Sequence, residues 1–234
     1  PTHLLHFAWE ATPGKYWTSL DNLLWVRASV NLIINFTLYG GQRAVMSGTC
    51  AEYDWSYGHC KENVTPLNPS SLYGASKKIF HEILELYKVE HSELSSAWGR
   101  IFHTYGPYEH ANRMVAEIIN ALLNGQQTRC SHGRQMRDFL YVKDVADAYV
   151  ALLESDVEGV VNIASGTPVK IMDLIKIIAE KLDCQKLVKF GALKTGINDP
   201  AVLTADTDRL NIEVCWLPKF DLDEGLNQTI RWWV

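Results

Sequence analysis

The stretch SLYGASK, residues 71–77, decides how the rest of this chain is interpreted, because it places Tyr73 and Lys77 four residues apart. Residues at this spacing share one face of a helix, so the phenol and the ammonium point into the same space. A free tyrosine has a pKa of about 10, and a neighbouring cation lowers that pKa by favouring the phenolate. The pair therefore predicts a tyrosine that exchanges protons near neutral pH.

Thr49 offers a hydroxyl group that can act beside this pair. It follows a short apolar run at 43–47 that is typical of a buried strand. Ligands of open α/β sheets bind beyond the carboxyl ends of the strands, where a threonine can hold a substrate oxygen. Taken alone, a Tyr–Lys pair is often a half-buried ring beside a solvated charge, so its meaning depends on the neighbouring motifs.

Helices and strands alternate along the first half of the chain, which is typical of an α/β fold with a parallel sheet and helices on both faces. The first long helix is apolar nearly all round, which predicts burial on two sides. Periodicity predicts strands at 3–8, 43–47 and 94–102 and helices at 19–39 and 71–91. In the more mixed second half it predicts helices at 113–123, 143–154, 171–182 and 221–232, with strands at 138–141 and 160–163.

The composition is that of an ordinary globular protein, with 47% hydrophobic and 21% charged residues. A net charge of −5 argues against a nucleic-acid-binding surface. No apolar stretch reaches the ~18 residues that span a bilayer, so no membrane partner is expected. The five cysteines form neither a CxxC pair nor a zinc spacing, which favours reduced thiols and a cytoplasmic protein without a metal site.

Four further motifs surround the Tyr–Lys pair: SGTCAEY at 47–53, GRIFHTYGP at 99–107, HGRQMRDFLYVKDVADAY at 132–149 and VVNIASG at 160–166. In order and spacing they resemble the extended short-chain dehydrogenase/reductase family, and within it the NAD-dependent nucleotide-sugar epimerases, dehydratases and ketoreductases. The resemblance runs from about His6 to Trp233. It implies a Rossmann-like doubly wound parallel sheet in residues 1–110. Residues 111–234 would form mainly a smaller α+β substrate-binding lobe, with a segment around 138–164 returning to the sheet.

The resemblance also implies roles for individual residues. Arg137 would clamp the substrate diphosphate with its guanidinium fork, unless it only pairs with Asp138 or Asp144. His103 stands where relatives have a phosphate-binding asparagine, and its alternative is a packing role. The implied catalytic residues are Thr49, Tyr73 and Lys77, with NAD or NADP held by His6, Ala8, Tyr73, Lys77 and Phe102 and the nucleotide sugar held by Thr49, His103, Arg113 and Arg137.

Some positions depart from the family pattern. Dehydratases place Asp and Glu directly after the threonine, whereas Cys50 and Ala51 follow here, and Glu52 comes one residue too late. Fucose-type enzymes place a histidine after the GP pair, where this chain has Tyr108. Cys50 could be reactive, although a small buried filler is favoured. The remaining set predicts hydride transfer at C4 of the sugar. A substrate-side loop at 198–201 ends in alanine where relatives often have arginine.

The sequence contains no glycine-rich turn for a dinucleotide pyrophosphate. The strand at 3–8 resembles the fourth strand of the family's sheet, so the first three strands are expected to lie outside this sequence. The residue that selects NAD or NADP would lie there too. This fragment alone is expected to be inactive, with strand 3–8 as an exposed edge. Three functions remain open. The protein from which this fragment comes is a C4 reductase or dehydrogenase or a 4-epimerase, or else the chain is an inactive truncated remnant. Helices 20–39 and 71–91 are expected to form a homodimer interface.

Overall fold

The computed structural model describes residues 1–196 and 199–234. Within them the α-helices are α1 Asp21–Leu38, α2 Leu72–Glu90, α3 Met114–Leu123, α4 Val142–Glu154, α5 Ile171–Lys181 and α6 Leu222–Trp233. The strands are β1 His3–His6, β2 Arg43–Thr49, β3 His59–Cys60, β4 Ser95–Ile101, β5 His103–Tyr105, β6 Thr128–Arg129, β7 Met136–Arg137, β8 Phe139–Tyr141, β9 Gly159–Ile163, β10 Val169–Lys170, β11 Val188–Lys189 and β12 Val202–Ala205. The six helices and β1, β2, β4, β8 and β9 lie within a few residues of their predicted bounds, whereas the sequence analysis did not predict the short strands β3, β5, β6, β7, β10, β11 and β12.

The main sheet has the order β1-β2-β4-β9, and all of its strand pairs are parallel. Every residue of β2 is buried, which is expected of a strand covered on both faces. Ala44 and Met46 pack with residues of α1 and α2, whereas Val45 packs with α4 on the opposite face. The predicted α/β fold class is thereby confirmed. Strand β9 joins the sheet after the excursion through residues 106–158.

Helix α1 is buried on one side only, so the prediction of burial on two sides is wrong. Ile33 and Phe36 face the sheet and α2, but Leu23 and Leu24 are more than half exposed. On α2, Leu86 and Val89 are likewise exposed, at 73% each. Apolar residues all round these helices therefore leave an unpartnered apolar surface on the single chain. Gly40 ends α1 with a φ of +83°, a backbone conformation that favours glycine.

The second half of the chain builds a lobe around its own core. Ile119 of α3, Ile175 of α5 and Leu226 of α6 are central and almost fully buried. Asp221 and Glu224 form a capping box at the start of the last helix. A small sheet in the order β10-β7-β12-β3 connects this lobe with the loop after β2. The division into 1–110 and 111–234 stays a prediction. In the described residues no helix is long and apolar enough to cross a membrane.

Candidate active site

Thr49 is fixed at the carboxyl end of β2 by a reciprocal cap. Its side chain accepts a hydrogen bond from the Ala51 amide at 3.2 Å, and the Glu52 carboxylate accepts one from the Thr49 amide at 2.8 Å. The three residues 50–52 form a single 3-10 turn between them. Gly48 precedes it because a Cβ there would run into the Trp98 indole and the Glu52 carboxylate. The backbone of this loop therefore leaves little freedom to the threonine.

Helix α2 begins directly against this turn. Ser71 caps it by accepting a hydrogen bond from the Gly74 amide at 3.1 Å. A Cβ on Gly74 would collide with the Ala51 carbonyl, so the glycine of the YGxxK segment allows the close approach of helix and turn. Tyr73 is thereby brought beside Thr49, and Lys77 lies one turn further along, 97% buried.

Burial is the main influence on the pKa values of Tyr73 and Lys77. The pKa of Tyr73 is raised by burial, and the neighbouring Thr49 hydroxyl opposes that shift. The prediction that Lys77 lowers this pKa is wrong for this structure. The Lys77 ammonium instead donates to the Ser47 carbonyl at 2.8 Å and lies 3.9 Å from the Trp9 ring centroid. Burial also lowers the pKa of Lys77 itself to about 7, despite the Glu52 carboxylate.

Two aromatic rings enclose the phenol of Tyr73. The Tyr16 ring meets it edge-on at 4.8 Å between centroids, and the Trp17 ring does so at 5.8 Å. Trp17 in turn stands perpendicular to Trp55 at 6.2 Å. The loop between β1 and α1 therefore supplies an aromatic wall beside the tyrosine.

These residues line a cavity of about 530 Å³ at the carboxyl end of the sheet. The structure brings most of the predicted site residues to its wall: Thr49, Tyr73, Lys77, Phe102, His103, Arg113 and Arg137. His6 and Ala8 do not reach it. The His6 imidazole is buried against Ser29 of α1 at 2.9 Å, and Ala8 is exposed. Side chains alternate along the extended chain, so Phe7 and Trp9 face the cavity instead.

Arg137 is paired, but not with either carboxylate that the sequence suggested. Its guanidinium contacts the Asp199 carboxylate and donates to the Pro200 carbonyl at 2.7 Å. The Asp138 carboxylate accepts from the Ser165 and Gly166 amides, and the Asp144 carboxylate accepts from two amides at 219–220. Asp199 belongs to the predicted substrate-side loop 198–201, of which Asn198 lies outside the described residues. The loop therefore meets Arg137 at the cavity wall.

The residues that depart from the family pattern, Cys50, Glu52 and Tyr108, occupy different surroundings. The Cys50 thiol is buried and its pKa is raised to about 12 by burial, which fits the predicted filler role. Glu52 is fully buried, paired with Arg100 at 2.7 Å, and absent from the cavity wall. Tyr108 turns away onto Trp232, whereas Glu109 lines the cavity. Sequence reasoning missed Glu109, because the reversal of side-chain direction depends on a positive φ at Tyr108 that no motif marks.

A second cavity of about 750 Å³ adjoins the first. Met114, Ile171 and Asp199 lie on the walls of both cavities. The second cavity is formed by α3, by the β6 segment around 126–131 and by residues 193–196. The two spaces together give an elongated site with Tyr73 in one half and a mixed polar and apolar wall in the other.

Residues 1–164 match the model of the NAD dependent epimerase/dehydratase family. UDP-glucuronic acid decarboxylase 1 of Xenopus tropicalis is 28% identical over 243 residues, covering 98% of this chain and 56% of the relative. The chain spans little more than half the length of the curated relatives it matches first.

Two solved structures are similar over 99% of this chain. UDP-N-acetylglucosamine 4-epimerase from Methanobrevibacter ruminantium M1, in complex with UDP-N-acetylmuramic acid, has a TM-score of 0.87 at 26% identity over 76% of that chain. MoeE5, in complex with UDP-glucuronic acid and NAD, has a TM-score of 0.85 at 27% identity over 78% of that chain.

Proposed function

This chain belongs to the NAD dependent epimerase/dehydratase family, and on that basis we propose that its protein is an NAD(P)-dependent oxidoreductase acting at C4 of a nucleotide-linked hexose. Reduction of a 4-keto-6-deoxy sugar, or the reverse oxidation, is the activity that the site supports best. One observation carries the proposal: Thr49, Tyr73 and Lys77 line one cavity at the carboxyl end of the parallel sheet, with Arg137 on the same wall.

The protonation state of Tyr73 favours the reductive direction. Because burial raises its pKa, the phenol stays protonated near neutral pH and can give its proton to the C4 oxygen. Thr49 is positioned beside it to hold the same oxygen. Because the pKa of Lys77 is about 7, part of the amine is neutral near neutral pH, and a phenolate on the same helix face would favour its uptake of a proton from solvent. The negative charge left on Tyr73 by proton donation would thus be balanced by the cation of Lys77.

The wall contributed by the main sheet fits the nicotinamide end of a dinucleotide. Phe7 and Trp9 follow β1, and Phe102 follows β4, so the two strands that flank β2 both lead into aromatic residues on the cavity wall, and the Trp9 ring borders Lys77. When bound, the dinucleotide would supply or accept the hydride at C4. The NAD in the MoeE5 structure supports a nicotinamide cofactor here, and the choice between NAD and NADP is left to the binding test below.

The adjoining cavity fits the nucleotide half of the substrate. The UDP-sugars in the two similar structures support a nucleotide-linked ligand. Arg137 lies where the two cavities meet, because its partner Asp199 lines both. A planar guanidinium fork suits diphosphate oxygens, so Arg137 would bind the diphosphate between sugar and nucleoside. Arg113, exposed at the start of α3, would add positive charge on the same wall.

One observation favours a 4-epimerase as the second candidate function: the TM-score of 0.87 to a UDP-N-acetylglucosamine 4-epimerase. Both activities use the same three residues, and they differ in whether the sugar turns over in the cavity between two hydride transfers. We further propose a homodimer, since the exposed apolar surfaces of α1 and α2 are adjacent and lie outside the cavity.

The test is a binding and turnover experiment with the intact protein. NADH and NADPH are titrated separately, and each complex is then mixed with a nucleotide-linked 4-keto-6-deoxyhexose while cofactor absorbance is followed. Stoichiometric oxidation of the cofactor supports the reductase. Conversion of a nucleotide hexose to its C4 epimer with no net cofactor change supports the epimerase. Failure to bind either dinucleotide would support an inactive remnant and defeat the proposal.

A further inference from the structure

Glu109 reaches the cavity from the loop that precedes α3. Tyr108 has a φ of 64°, and its ring is 82% exposed and lies 4.1 Å from the Trp232 ring between centroids. The side chain of the next residue consequently turns inward. Glu109 lines the same cavity as Thr49 and Tyr73, although it comes from the lobe and they come from the sheet and α2.

The Glu109 carboxyl group lies close to the first turn of α3, where the backbone amide of Ala116 acts to lower its pKa. Its Oε2 atom is buried and has no hydrogen-bond partner among residues 1–196 and 199–234. An unpartnered buried carboxylate oxygen is costly. The free oxygen therefore points to a ligand.

The surroundings of Glu109 make its protonated form available at neutral pH. Burial raises its pKa to about 7, while the Arg113 guanidinium and the Ala116 amide oppose the shift. His103 on the same wall also has a buried Nδ1 without a partner in the described residues, and burial lowers the pKa of His103 to about 4. The remaining charged or ionisable groups on the described cavity wall are Lys77, Arg137, Asp199, Cys50, Tyr16 and Tyr73.

We infer that Glu109 contacts the sugar of the substrate and donates a hydrogen bond from its protonated carboxyl group to a sugar oxygen. The inference rests on the proposed function, because it assigns a further contact in the same cavity. It places a second proton-exchanging group on the wall, carried by an element other than α2. A carboxyl group in this role discriminates between sugars by the presence of an oxygen acceptor within its reach.

The experiment measures the Kd of UDP-glucose and of dTDP-glucose by calorimetry, with the intact protein saturated with NAD, between about pH 6 and about pH 8.5, where their diphosphates do not titrate. Wild-type affinity should fall as pH rises through the pKa of Glu109. Glu109→Gln keeps a hydrogen-bond donor at every pH, so the loss of affinity that comes from deprotonation of Glu109 should be missing in this variant. Glu109→Ala should bind about 10-fold or more weakly at the lowest pH. Lys77 titrates in the same range, so the decisive quantity is the difference in the pH dependence of Kd between the wild type and Glu109→Gln.

A role confined to stabilising the start of α3 gives a different pattern. Glu109→Ala would then lower the Tm and leave Kd unchanged at every pH, which would overturn the inference. A Glu109→Gln variant that follows the wild-type pH dependence, or that binds as weakly as Glu109→Ala throughout, would overturn it as well. A wild type that binds neither nucleotide sugar would instead defeat the proposed function, and the inference with it.

Discussion

Glu52 and Arg100 form a fully buried ion pair, with 2.7 Å between Oε2 and Nε. The other oxygen of the same carboxylate accepts hydrogen bonds from the Thr49 amide at 2.8 Å and the Trp98 indole at 3.0 Å. The threonine at the cavity wall is therefore linked, through one carboxylate, to a buried charge near the carboxyl end of β4. Stability of the core and position of the site depend on the same side chain.

Glu52→Gln should destabilise the protein strongly, because it leaves the Arg100 charge buried without a compensating partner. Breaking a buried ion pair costs about 3–5 kcal/mol, which for a chain of this size lowers the Tm by roughly 6–20 °C. Calorimetric unfolding measures the shift. Glu85→Gln is the matched control, since Glu85 is half exposed on α2 and its pair with Lys88 contributes little. Equal Tm values for the two variants would contradict the structural role of Glu52.

Tyr73→Phe should abolish most turnover while leaving cofactor binding nearly unchanged. The ring and its contacts with Tyr16 and Trp17 remain, but the proton for the C4 oxygen is lost. General acid–base catalysis contributes about 10²–10⁴-fold, and kcat should fall within that range. Tyr87→Phe makes the same change on the same helix, outside the cavity, and should retain full activity. A fully active Tyr73→Phe enzyme would remove Tyr73 from the mechanism.

Much of this site was predictable from local patterns, and the rest depended on long-range packing. Thr49, Tyr73 and Lys77 were found because strand ends and helical spacing fix which side chains meet. The sequence could not show that Lys77 turns to Ser47, because burial and tertiary contacts set its direction. It could not show the pairing of Arg137 with Asp199 either, since these residues are distant in the chain and meet through the pairing of β7 with β12.

Lys77 should make the folded protein more stable as pH rises above neutrality. Its pKa is lowered to about 7 in the folded state and is near 10.5 in the unfolded chain, so the unfolded state binds more protons between these values. The free energy of unfolding therefore increases with pH in this window, by up to about 1.4 kcal/mol per pH unit. Denaturation by urea at pH values between about 7.5 and 9 measures this slope, and the thiols that also titrate in the unfolded chain in this range contribute equally to the wild type and to a Lys77 variant. Lys77→Met should reduce the slope; an unchanged slope would show that Lys77 keeps an ordinary pKa.

The exposed apolar surface of α1 and α2 should hold two copies of the chain together. Leu86→Glu places a charge on that surface, and desolvating an unpaired charge would oppose association. Analytical ultracentrifugation should show a dimer for the wild type and a monomer for the variant. Ile212→Glu introduces the same charge at a residue of similar exposure, 71%, away from these helices, and should stay dimeric. A monomeric wild type would refute the interface.

Arg137→Lys should weaken binding of the nucleotide sugar and leave dinucleotide affinity unchanged. The lysine keeps the charge but loses the bidentate fork, and losing one charge-assisted hydrogen bond costs about 1.5–3 kcal/mol, or roughly 10- to 150-fold in kcat/KM. Asp199→Asn tests the same contact from the opposite side. Because Asp199 is about a third exposed, its pair with Arg137 is worth at most about 1 kcal/mol, so releasing the guanidinium should tighten binding of the nucleotide sugar by up to about fivefold.

The two variants together separate a diphosphate clamp from a structural brace. A clamp requires opposite effects on nucleotide-sugar affinity, weaker for Arg137→Lys and tighter for Asp199→Asn, with dinucleotide affinity constant in both. If Arg137 only fastens the loop at 199–200 to β7, both changes should lower the Tm, and neither should change the affinity for the nucleotide sugar. Measuring Tm and Kd on the same preparations distinguishes these patterns, and a shared loss of Tm with constant Kd would eliminate Arg137 as a substrate-binding residue.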